Sequence, residues 1–446
     1  MSNIEELINF TSRDTIRITD ENHLEIGGVD TVELANKYGT PLVIYDIETI
    51  RKNISQLKEG LNAYEGKTEV SYASKAFSSV ALYQIIKQEN ISIDVVSGGE
   101  LYLAQQAGFP AKRINFHGNN KSLEELKAAL DYNIGHIIVD NFHELNLLDI
   151  LTKERQQKTD IILRITPGVS ADTHKYIMTG QADSKFGFDL QSGQAETALL
   201  EALESEYLNV NGLHMHIGSQ IFDTKSYAAS MNQILNYLSD WRDKYQFELN
   251  IFNIGGGFGI QHTTEEAWNS PKEQLAVISR ELMKLLDDYN LPYPELWIEP
   301  GRSIVGEAGT TIYKIGSQKN LPDVRHYVSV DGGMSDNIRP AFYDAKYTGF
   351  LANRMKDEAN TTVSIAGKAC ESGDMLIFDL PLPEANPGDL LAVINTGDYT
   401  FAMASNYNRI PRPAVVFVEN GKEFLAIRRE TPEDFMRFEN FLPENN

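Results

Sequence analysis

Eight short apolar runs alternate with helix-length segments between residues 69 and 299. Two of the intervening segments, Val80–Gln88 and Leu123–Leu130, carry apolar residues at i, i+3 and i+4, which is the spacing of an amphipathic helix. Strands separated by helices favour β/α units and a parallel sheet. Eight such units predict an α/β fold, a closed (β/α)8 TIM-type barrel, with strands at Glu69–Ser74, Ser92–Val96, Arg113–His117, His136–Asp140, Ile161–Thr166, Val210–His216, Asn250–Ile254 and Leu296–Glu299.

The active site of such a barrel is built at the carboxyl ends of the strands and in the loops that follow them. Lys75 follows the first run, and the glycine-rich segment 253–259 follows the seventh. Four other runs also lead into glycine, histidine or charged residues, at Ser97-Gly98-Gly99, His117-Gly118-Asn119, His216-Ile217-Gly218-Ser219 and Glu299-Pro300-Gly301-Arg302. We therefore predict a polar site at this rim.

A second domain is expected because the chain has 446 residues, whereas single hydrophobic cores stop growing at roughly 250–300. After about residue 306 the sequence changes to short β-branched runs broken by Gly, Pro and Asp, at Tyr327–Val330, Val363–Ala366, Leu390–Ile394 and Ala414–Val418. These runs predict an all-β domain over 306–446. The N-terminal segment 1–46, with Leu24-Glu25-Ile26, is also predicted to be β and to join that domain, which leaves 47–305 for the barrel.

Charge and cysteine content exclude several classes of protein. The net charge of −23, from 40 basic and 63 acidic side chains, disfavours nucleic acid and anionic membranes as partners. No stretch reaches the roughly 20 apolar residues of a membrane helix, and Met1–Asp20 lacks a basic region followed by an apolar run. Cys370 is the only cysteine, which excludes an intrachain disulfide and suits a reducing compartment, so we expect a cytoplasmic protein.

Two rim features point to a cofactor. A lysine at this position can form a Schiff base with a carbonyl cofactor, although a rim lysine taken alone is more often a solvated charge. Glycines let backbone N–H groups approach a phosphate closely, although glycine runs also make plain turns. Barrel phosphate sites typically use the loops after strands seven and eight, where Gly256, Gly257, Gly301 and Arg302 lie. Lys75 and this phosphate site together narrow the field of cofactors considerably.

Glu299 and a pair of histidines add two further candidates. A carboxylate buried at the end of the eighth run needs a partner, which would be either a protonated pyridine nitrogen or a structural Arg or Lys. His214 and His216 alternate along the sixth run and therefore point to the same side, so that one of them could cover a cofactor ring or fill a core position. No third metal ligand lies near them at a suitable spacing, so we expect no metal.

With these motifs in place, the chain resembles the alanine-racemase-like, fold-type III pyridoxal-phosphate decarboxylases, and most closely the diaminopimelate decarboxylase family. The resemblance runs over almost the whole length. It is carried by YGTPLVIYD at 38–46, YASKAFSS at 71–78, DVVSGGEL at 94–101, FHGNNKS at 116–122, DSKFGF at 183–188, GLHMHIGSQ at 212–220, NIGGGFG at 253–259, EPGRS at 299–303, DGGMSDNIRPAFYDA at 331–345, CESGD at 370–374 and MASNYNRIPRPA at 403–414.

The resemblance implies pyridoxal 5'-phosphate as cofactor and assigns roles to individual residues. Lys75 would be the Schiff-base lysine, His216 the imidazole on the ring and Glu299 the partner of the pyridine nitrogen. Phosphate binding would fall to Ser219, Gly256, Gly257, Gly301, Arg302 and Tyr399. The substrate would be held by Arg302, Arg339, Tyr343, Glu371 and Tyr399.

Cys370 would be the catalytic proton donor near Cα, and the family takes this cysteine and Glu371 from the partner subunit of a homodimer. The implied reaction is decarboxylation of meso-diaminopimelate to lysine. Decarboxylation of ornithine, arginine or carboxynorspermidine remains an alternative, as does a non-catalytic decarboxylase-like regulator. The family usually has alanine where this chain has Asp398, so we expect that carboxylate to point to solvent or to a basic group.

Overall fold

The computed structural model describes residues 13–168, 184–263 and 269–443. Residues 1–12 of the predicted N-terminal β segment, Asp183 of the motif DSKFGF and the last three residues therefore lie outside the described residues. The chain divides into two compact units. The first, called the barrel unit, comprises Arg51–Ile260 and Ala267–Ile304, and the second, called the β unit, comprises Met1–Ile50, Gln261–Glu266 and Val305–Asn446.

The strands in chain order are β1 (Ile16–Ile18), β2 (Leu24–Ile26), β3 (Val29–Asp30), β4 (Leu42–Asp46), β5 (Thr68–Ala73), β6 (Ser92–Val95), β7 (Ile114–Phe116), β8 (His136–Val139), β9 (Thr159–Thr166), β10 (Phe188–Asp189), β11 (Leu208–His214), β12 (Ile251–Asn253), β13 (Glu295–Ile298), β14 (Gly309–Leu321), β15 (Arg325–Val330), β16 (Gly349–Leu351), β17 (Thr361–Ala366), β18 (Met375–Leu382), β19 (Leu390–Ile394), β20 (Ala414–Glu419) and β21 (Lys422–Ile427). The α-helices are Thr31–Tyr38, Ile47–Leu61, Val80–Gln88, Gly98–Gln106, Leu123–Tyr132, Phe142–Arg155, Gln194–Glu204, Lys225–Tyr245, Pro271–Asp288, Arg302–Val305, Arg339–Tyr343 and Pro432–Met436. None of the helices among the described residues combines the length and the apolar character needed to cross a bilayer.

The barrel unit contains the predicted closed barrel. Its eight parallel strands follow the order β9-β11-β12-β13-β5-β6-β7-β8, and β8 pairs with β9 to close the ring. All eight predicted strands are confirmed, and their carboxyl ends lie up to two residues earlier than predicted. This shift places Lys75, His216 and Glu299 just beyond the strands, in the loops where a barrel builds its site.

Two helices of the barrel start directly after a residue whose side chain caps them. The predicted helix Val80–Gln88 is confirmed, with the side chain of Ser79 accepting the backbone N–H of Leu82. The helix that begins at Leu123 extends two residues past the prediction, to Tyr132. A capping box between Ser122 and Glu125 satisfies its first free N–H groups, and this local stabilisation fixes its start.

The β unit is built around β14, a strand of 13 residues. This strand pairs antiparallel with β4, β15 and β19, and β20 and β21 extend the sheet beyond β4. All four predicted β-branched runs form strands, and β1 to β3 form a separate three-stranded sheet. The predicted β domain is therefore confirmed, and the N-terminal segment adds one helix, Thr31–Tyr38, whose first N–H groups are capped by Asp30.

Candidate active site

Lys75 lies on a single turn of 3-10 helix, Ser74–Ala76, that directly follows β5. Ser74 and Ala76 are buried on either side of it, whereas the lysine side chain is exposed. Its positive charge acts on His216 and on Glu100, two groups of the same rim. The backbone is therefore anchored in the barrel wall while the amine remains accessible at the carboxyl ends of the strands.

The glycine segment after β12 packs against its neighbouring loops too closely to carry side chains. A methyl group on Gly256 would lie 2.0 Å from the carbonyl oxygen of Glu299. One on Gly257, whose φ is +107°, would lie 2.3 Å from the carbonyl oxygen of Gly218. A methyl group on Gly301 would lie 3.0 Å from Cβ of Ala76, next to the lysine. The glycines therefore keep the loops after strands six, seven and eight in contact with one another.

Ser219 lies in the loop after the sixth strand of the barrel, and Arg302 follows the eighth strand. Nη2 of Arg302 donates to the hydroxyl of Ser219 at 3.1 Å. Arg302 is 6% exposed and begins the short helix that follows the eighth strand of the barrel. A guanidinium, a hydroxyl and backbone N–H groups of a glycine loop are the donors that bind a phosphate.

The carboxylate of Glu299 lies at the centre of a buried polar cluster. Its Oε1 accepts from Nδ2 of Asn253 at 2.5 Å and lies 3.0 Å from Nε2 of His117, while Oε2 lies 3.0 Å from Nε2 of His214. The same Nε2 atom of His117 also lies 3.7 Å from Oδ1 of Asp94. Residues from three different strand ends therefore surround one carboxylate.

These contacts set the charges of the cluster. Burial favours the neutral form of Glu299, but the imidazoles of His117 and His214 outweigh it and hold the pKa of that carboxyl well below its ordinary value. Burial also opposes charging of His117, yet Glu299 and Asp94 raise the pKa of its imidazole to about 9. Burial lowers the pKa of His214 to about 4. Glu299 is therefore ionised at neutral pH, His117 is charged and His214 is neutral.

A neutral His214 must donate its Nε2 proton to Glu299, because an ionised carboxylate only accepts. An ionised carboxylate offers about four lone pairs. Asn253 donates to Oε1 and His214 donates to Oε2, while the imidazole of His117 lies 3.0 Å from Oε1 as an ion-pair partner. Oε2 therefore retains the capacity to accept a further proton donor such as a protonated ring nitrogen.

His216 lies two residues beyond the end of β11 and is partly exposed. Burial and the positive charge of Lys75 lower the pKa of its imidazole well below the ordinary value. A neutral, flat ring beside the lysine is suited to covering a cofactor ring. Together, the accessible amine, the phosphate donors and the ionised carboxylate fit a phosphorylated pyridine aldehyde.

The same cluster also has the composition of a metal site. The sequence offers no third ligand near His214, but the fold brings ligand atoms of His117, His214 and Glu299 within 4.8 Å of one another. Metal binding requires neutral imidazole. Because the pKa of His117 is raised to about 9, this imidazole is protonated at neutral pH and has no lone pair at Nε2 to offer. A metal ion would therefore have to displace this proton before Nε2 of His117 could bind it.

The predicted substrate residues of the β unit form a second group. Arg339 is buried, and its Nε donates to the hydroxyl of Tyr347 at 2.9 Å. Its guanidinium carbon lies 5.7 Å from the ring centroid of Tyr343 and 5.8 Å from that of Tyr399. Asp398 is fully buried with Oδ2 3.8 Å from Nη1 of Arg339, so the expectation of a basic partner is confirmed and the alternative of solvent is wrong.

Cys370 and Glu371 lie together on the loop between β17 and β18 of the β unit. Both side chains are exposed. The backbone N–H of Cys370 donates to Oδ1 of Asn408 at 2.7 Å. The structure thus presents the thiol and the carboxylate on one surface loop, adjacent in sequence.

The sequence did not indicate the partners of the central carboxylate of Glu299. His117 stood out only as part of a polar strand end, and Asp94 and Asn253 received no role. The available signal was their position, since Asp94 lies within β6, Asn253 ends β12 and His117 follows β7. The rule that a barrel site lies at the carboxyl ends of the strands locates the rim, but it does not show which of the side chains there contact Glu299.

Comparison with known proteins identifies the chemistry of this rim. Residues 47–306 match the family of the pyridoxal-dependent decarboxylase, pyridoxal binding domain. The diaminopimelate decarboxylase of Bacillus methanolicus is 56% identical over 93% of this chain and 96% of its own length. That of Bacillus subtilis is 55% identical over 95% and 97%. The crystal structure of diaminopimelate decarboxylase from M. jannaschii in complex with L-lysine aligns with a TM-score of 0.90 at 35% identity, covering 97% of this chain and 99% of that one.

Proposed function

This chain belongs to the diaminopimelate decarboxylase family, and from that premise we propose that it converts meso-2,6-diaminopimelate to L-lysine and carbon dioxide, the last step of lysine biosynthesis. The observation that carries the proposal is the barrel rim itself. There Lys75, the glycine loop with Gly256 and Gly257, and an ionised Glu299 follow strands one, seven and eight of the same ring. A reaction at an amino-acid Cα needs these three elements to hold its cofactor.

We propose pyridoxal 5'-phosphate as that cofactor. When bound, it supplies an electron sink for the electron pair left on Cα when the bond to the departing carboxylate breaks. Lys75 would hold its aldehyde carbon, and His216 would cover its ring. Ser219, Gly256, Gly257, Gly301, Arg302 and Tyr399 would bind its phosphate.

Glu299 would hold the proton on the pyridine nitrogen. This role requires a carboxylate that stays ionised, and the charged imidazole of His117 provides that condition by lowering the pKa of Glu299. His214 and Asn253 donate to the same carboxylate and fix its orientation. The cluster thus explains why a buried acid keeps its negative charge.

The distal end of the substrate carries an ammonium and a carboxylate, and we propose that arginine, tyrosine and glutamate side chains recognise it. Arg339 would bind the carboxylate with Arg302 and Tyr343, with Tyr399 nearby, because guanidinium groups pair well with carboxylates. Glu371 would bind the distal ammonium. Ornithine and arginine lack this combination of charges, so the two arginines and the glutamate favour diaminopimelate over those substrates.

Cys370 would donate the proton that replaces carbon dioxide at Cα. A thiol can act as a general acid when its pKa is near the working pH. We propose that Cys370 and Glu371 act in the site of a partner subunit, so that the active enzyme is a homodimer. Their exposure on one loop supports this assignment. We also propose a cytoplasmic location, which suits a chain with a single cysteine.

The test is a substrate comparison on the purified chain with added pyridoxal 5'-phosphate. Carbon dioxide release should be fast with meso-diaminopimelate, should be matched by equal L-lysine, and should be slow with ornithine, arginine and carboxynorspermidine. The Lys75→Ala variant measures the background. Faster release from any of the other three amino acids would assign the chain to the alternative decarboxylases. No release from any substrate together with no bound cofactor would instead support a non-catalytic regulator.

A further inference from the structure

The loop that presents Cys370 and Glu371 is held through its backbone. It joins β17 to β18, and neither of these two side chains is buried. The N–H of Ala369 donates to Oδ2 of Asp374 at 2.7 Å, and the N–H of Cys370 donates to Oδ1 of Asn408 at 2.7 Å. The side-chain oxygens of Asp374 and Asn408 thus accept hydrogen bonds from two consecutive backbone N–H groups of the loop.

Asp374 ties the loop to the glycine turn that follows β15. It is 4% exposed, and its Oδ1 accepts the N–H of Met334 at 2.6 Å. A methyl group on Gly333 would lie 2.3 Å from this carboxylate, and one on Gly367 would lie 2.2 Å from it. Because these two residues are glycines, the carboxylate of Asp374 fits between the turn and the loop.

Asn408, which accepts the N–H of Cys370, has a backbone conformation that few residues adopt. Its φ of +52° and ψ of +22° lie in the left-handed region, inside the short 3-10 segment Tyr407–Arg409. Glycine and asparagine are the residues that tolerate this region best. Glycine would satisfy the backbone alone, whereas asparagine satisfies the backbone and also supplies the oxygen that accepts the N–H of Cys370.

We propose that Asn408 is a positioning residue for the catalytic loop, and that it acts with Asp374 to fix the backbone from which Cys370 and Glu371 project. This inference rests on the proposed function, in which these two side chains donate a proton and bind the distal ammonium. A general acid must lie within hydrogen-bond reach of the atom it protonates, and a misplacement of about 1 Å costs about 100-fold in rate. Neither side chain is buried within its own subunit, so within that subunit the loop backbone must provide this precision.

The test compares two substitutions at the same position in the holoenzyme. Asn408→Gly keeps the left-handed backbone and removes the oxygen, whereas Asn408→Asp keeps an oxygen acceptor and tolerates the same backbone. Asn420→Gly is the matched control, because Asn420 has the same φ of +52° in the exposed turn between β20 and β21. Amide hydrogen exchange of residues 367–374 and the steady-state constants for meso-diaminopimelate are measured for each variant.

In Asn408→Gly, exchange in the 367–374 segment should rise about three- to tenfold, the factor that corresponds to one hydrogen bond of ordinary strength. Its kcat/KM should fall by about tenfold or more, with kcat carrying most of the loss. Asn408→Asp should restore the exchange protection, and Asn420→Gly should match the wild type in both measurements. Exchange in β14 and β15 should stay unchanged in every variant, which separates a loosened loop from a poorly folded β unit.

Wild-type exchange and wild-type kcat/KM in Asn408→Gly would overturn the proposal, and so would increased exchange with unchanged kcat/KM. Failure of Asn408→Asp to restore protection would also overturn it, because the oxygen would then not be the group that holds the loop. A wild-type enzyme that does not decarboxylate diaminopimelate would refute the proposed function. In that case the exchange data alone still decide whether Asn408 anchors the loop.

Discussion

Replacing His117 by glutamine removes the buried positive charge that lies beside Glu299, with Nε2 3.0 Å from its carboxylate and 3.7 Å from that of Asp94. These carboxylates raise the pKa of the imidazole from 6.5 to about 9. At about 1.4 kcal/mol for each pKa unit, this rise corresponds to about 3 kcal/mol of stabilisation of the folded barrel. The variant should therefore lose about 3 kcal/mol at pH 6.

The loss should depend on pH in a defined direction. Because the folded pKa is raised above the unfolded value, the stabilisation is complete below pH 6.5 and disappears as the pH rises through about 9. The free energy of unfolding is measured in urea at pH 6 and at pH 9.5, using fluorescence of the barrel residues Trp241 and Trp297. The difference between wild type and variant should shrink strongly at the higher pH.

His143→Gln is the control, because His143 is an exposed histidine on the barrel helix Phe142–Arg155. It should change the free energy of unfolding by less than about 0.5 kcal/mol at either pH. A difference for His117→Gln that stays the same at both pH values, or that is below about 1 kcal/mol at pH 6, would refute the ion-pair interpretation of the cluster.

Three further predictions concern the proposed reaction. Lys75→Ala should abolish the absorbance of bound cofactor and the turnover, and normal turnover would remove this lysine from the mechanism. Cys370→Ala should lower kcat by about 10²- to 10⁴-fold, as expected for loss of a general acid, whereas a loss below threefold would contradict that role. Arg339→Lys keeps the charge but removes the planar pair of donors, so it should raise KM for meso-diaminopimelate about tenfold or more; an unchanged KM would place the distal carboxylate elsewhere.

Local sequence patterns predicted most of the barrel. Each of the eight strands appears as a short apolar run, and the side chain after a run must lie at the carboxyl rim when the strands are parallel. The positions of Lys75 and of the glycine loop at this rim follow from this rule alone. The helix Val80–Gln88, and the helix Leu123–Tyr132 as far as Leu130, were predicted because their apolar periodicity is encoded within about ten residues.

The partners of the site residues could not be predicted in the same way. Asn408 lies 38 residues from Cys370, and His214 lies 85 residues from Glu299. A single sequence contains no signal that pairs such positions. The buried contact between Asp398 and Arg339 shows the same limit. From the sequence, the carboxylate of Asp398 could equally point to solvent or to a basic group.

The sequence by itself determined the strands of the barrel and the rim at which the reactive side chains emerge, because hydrophobic periodicity and strand direction are local properties. Only the tertiary structure decided which of these groups are charged. The charge of Glu299 and His117 depends on burial and on distances of about 3 Å between side chains from different strands. These distances exist only after the barrel has closed.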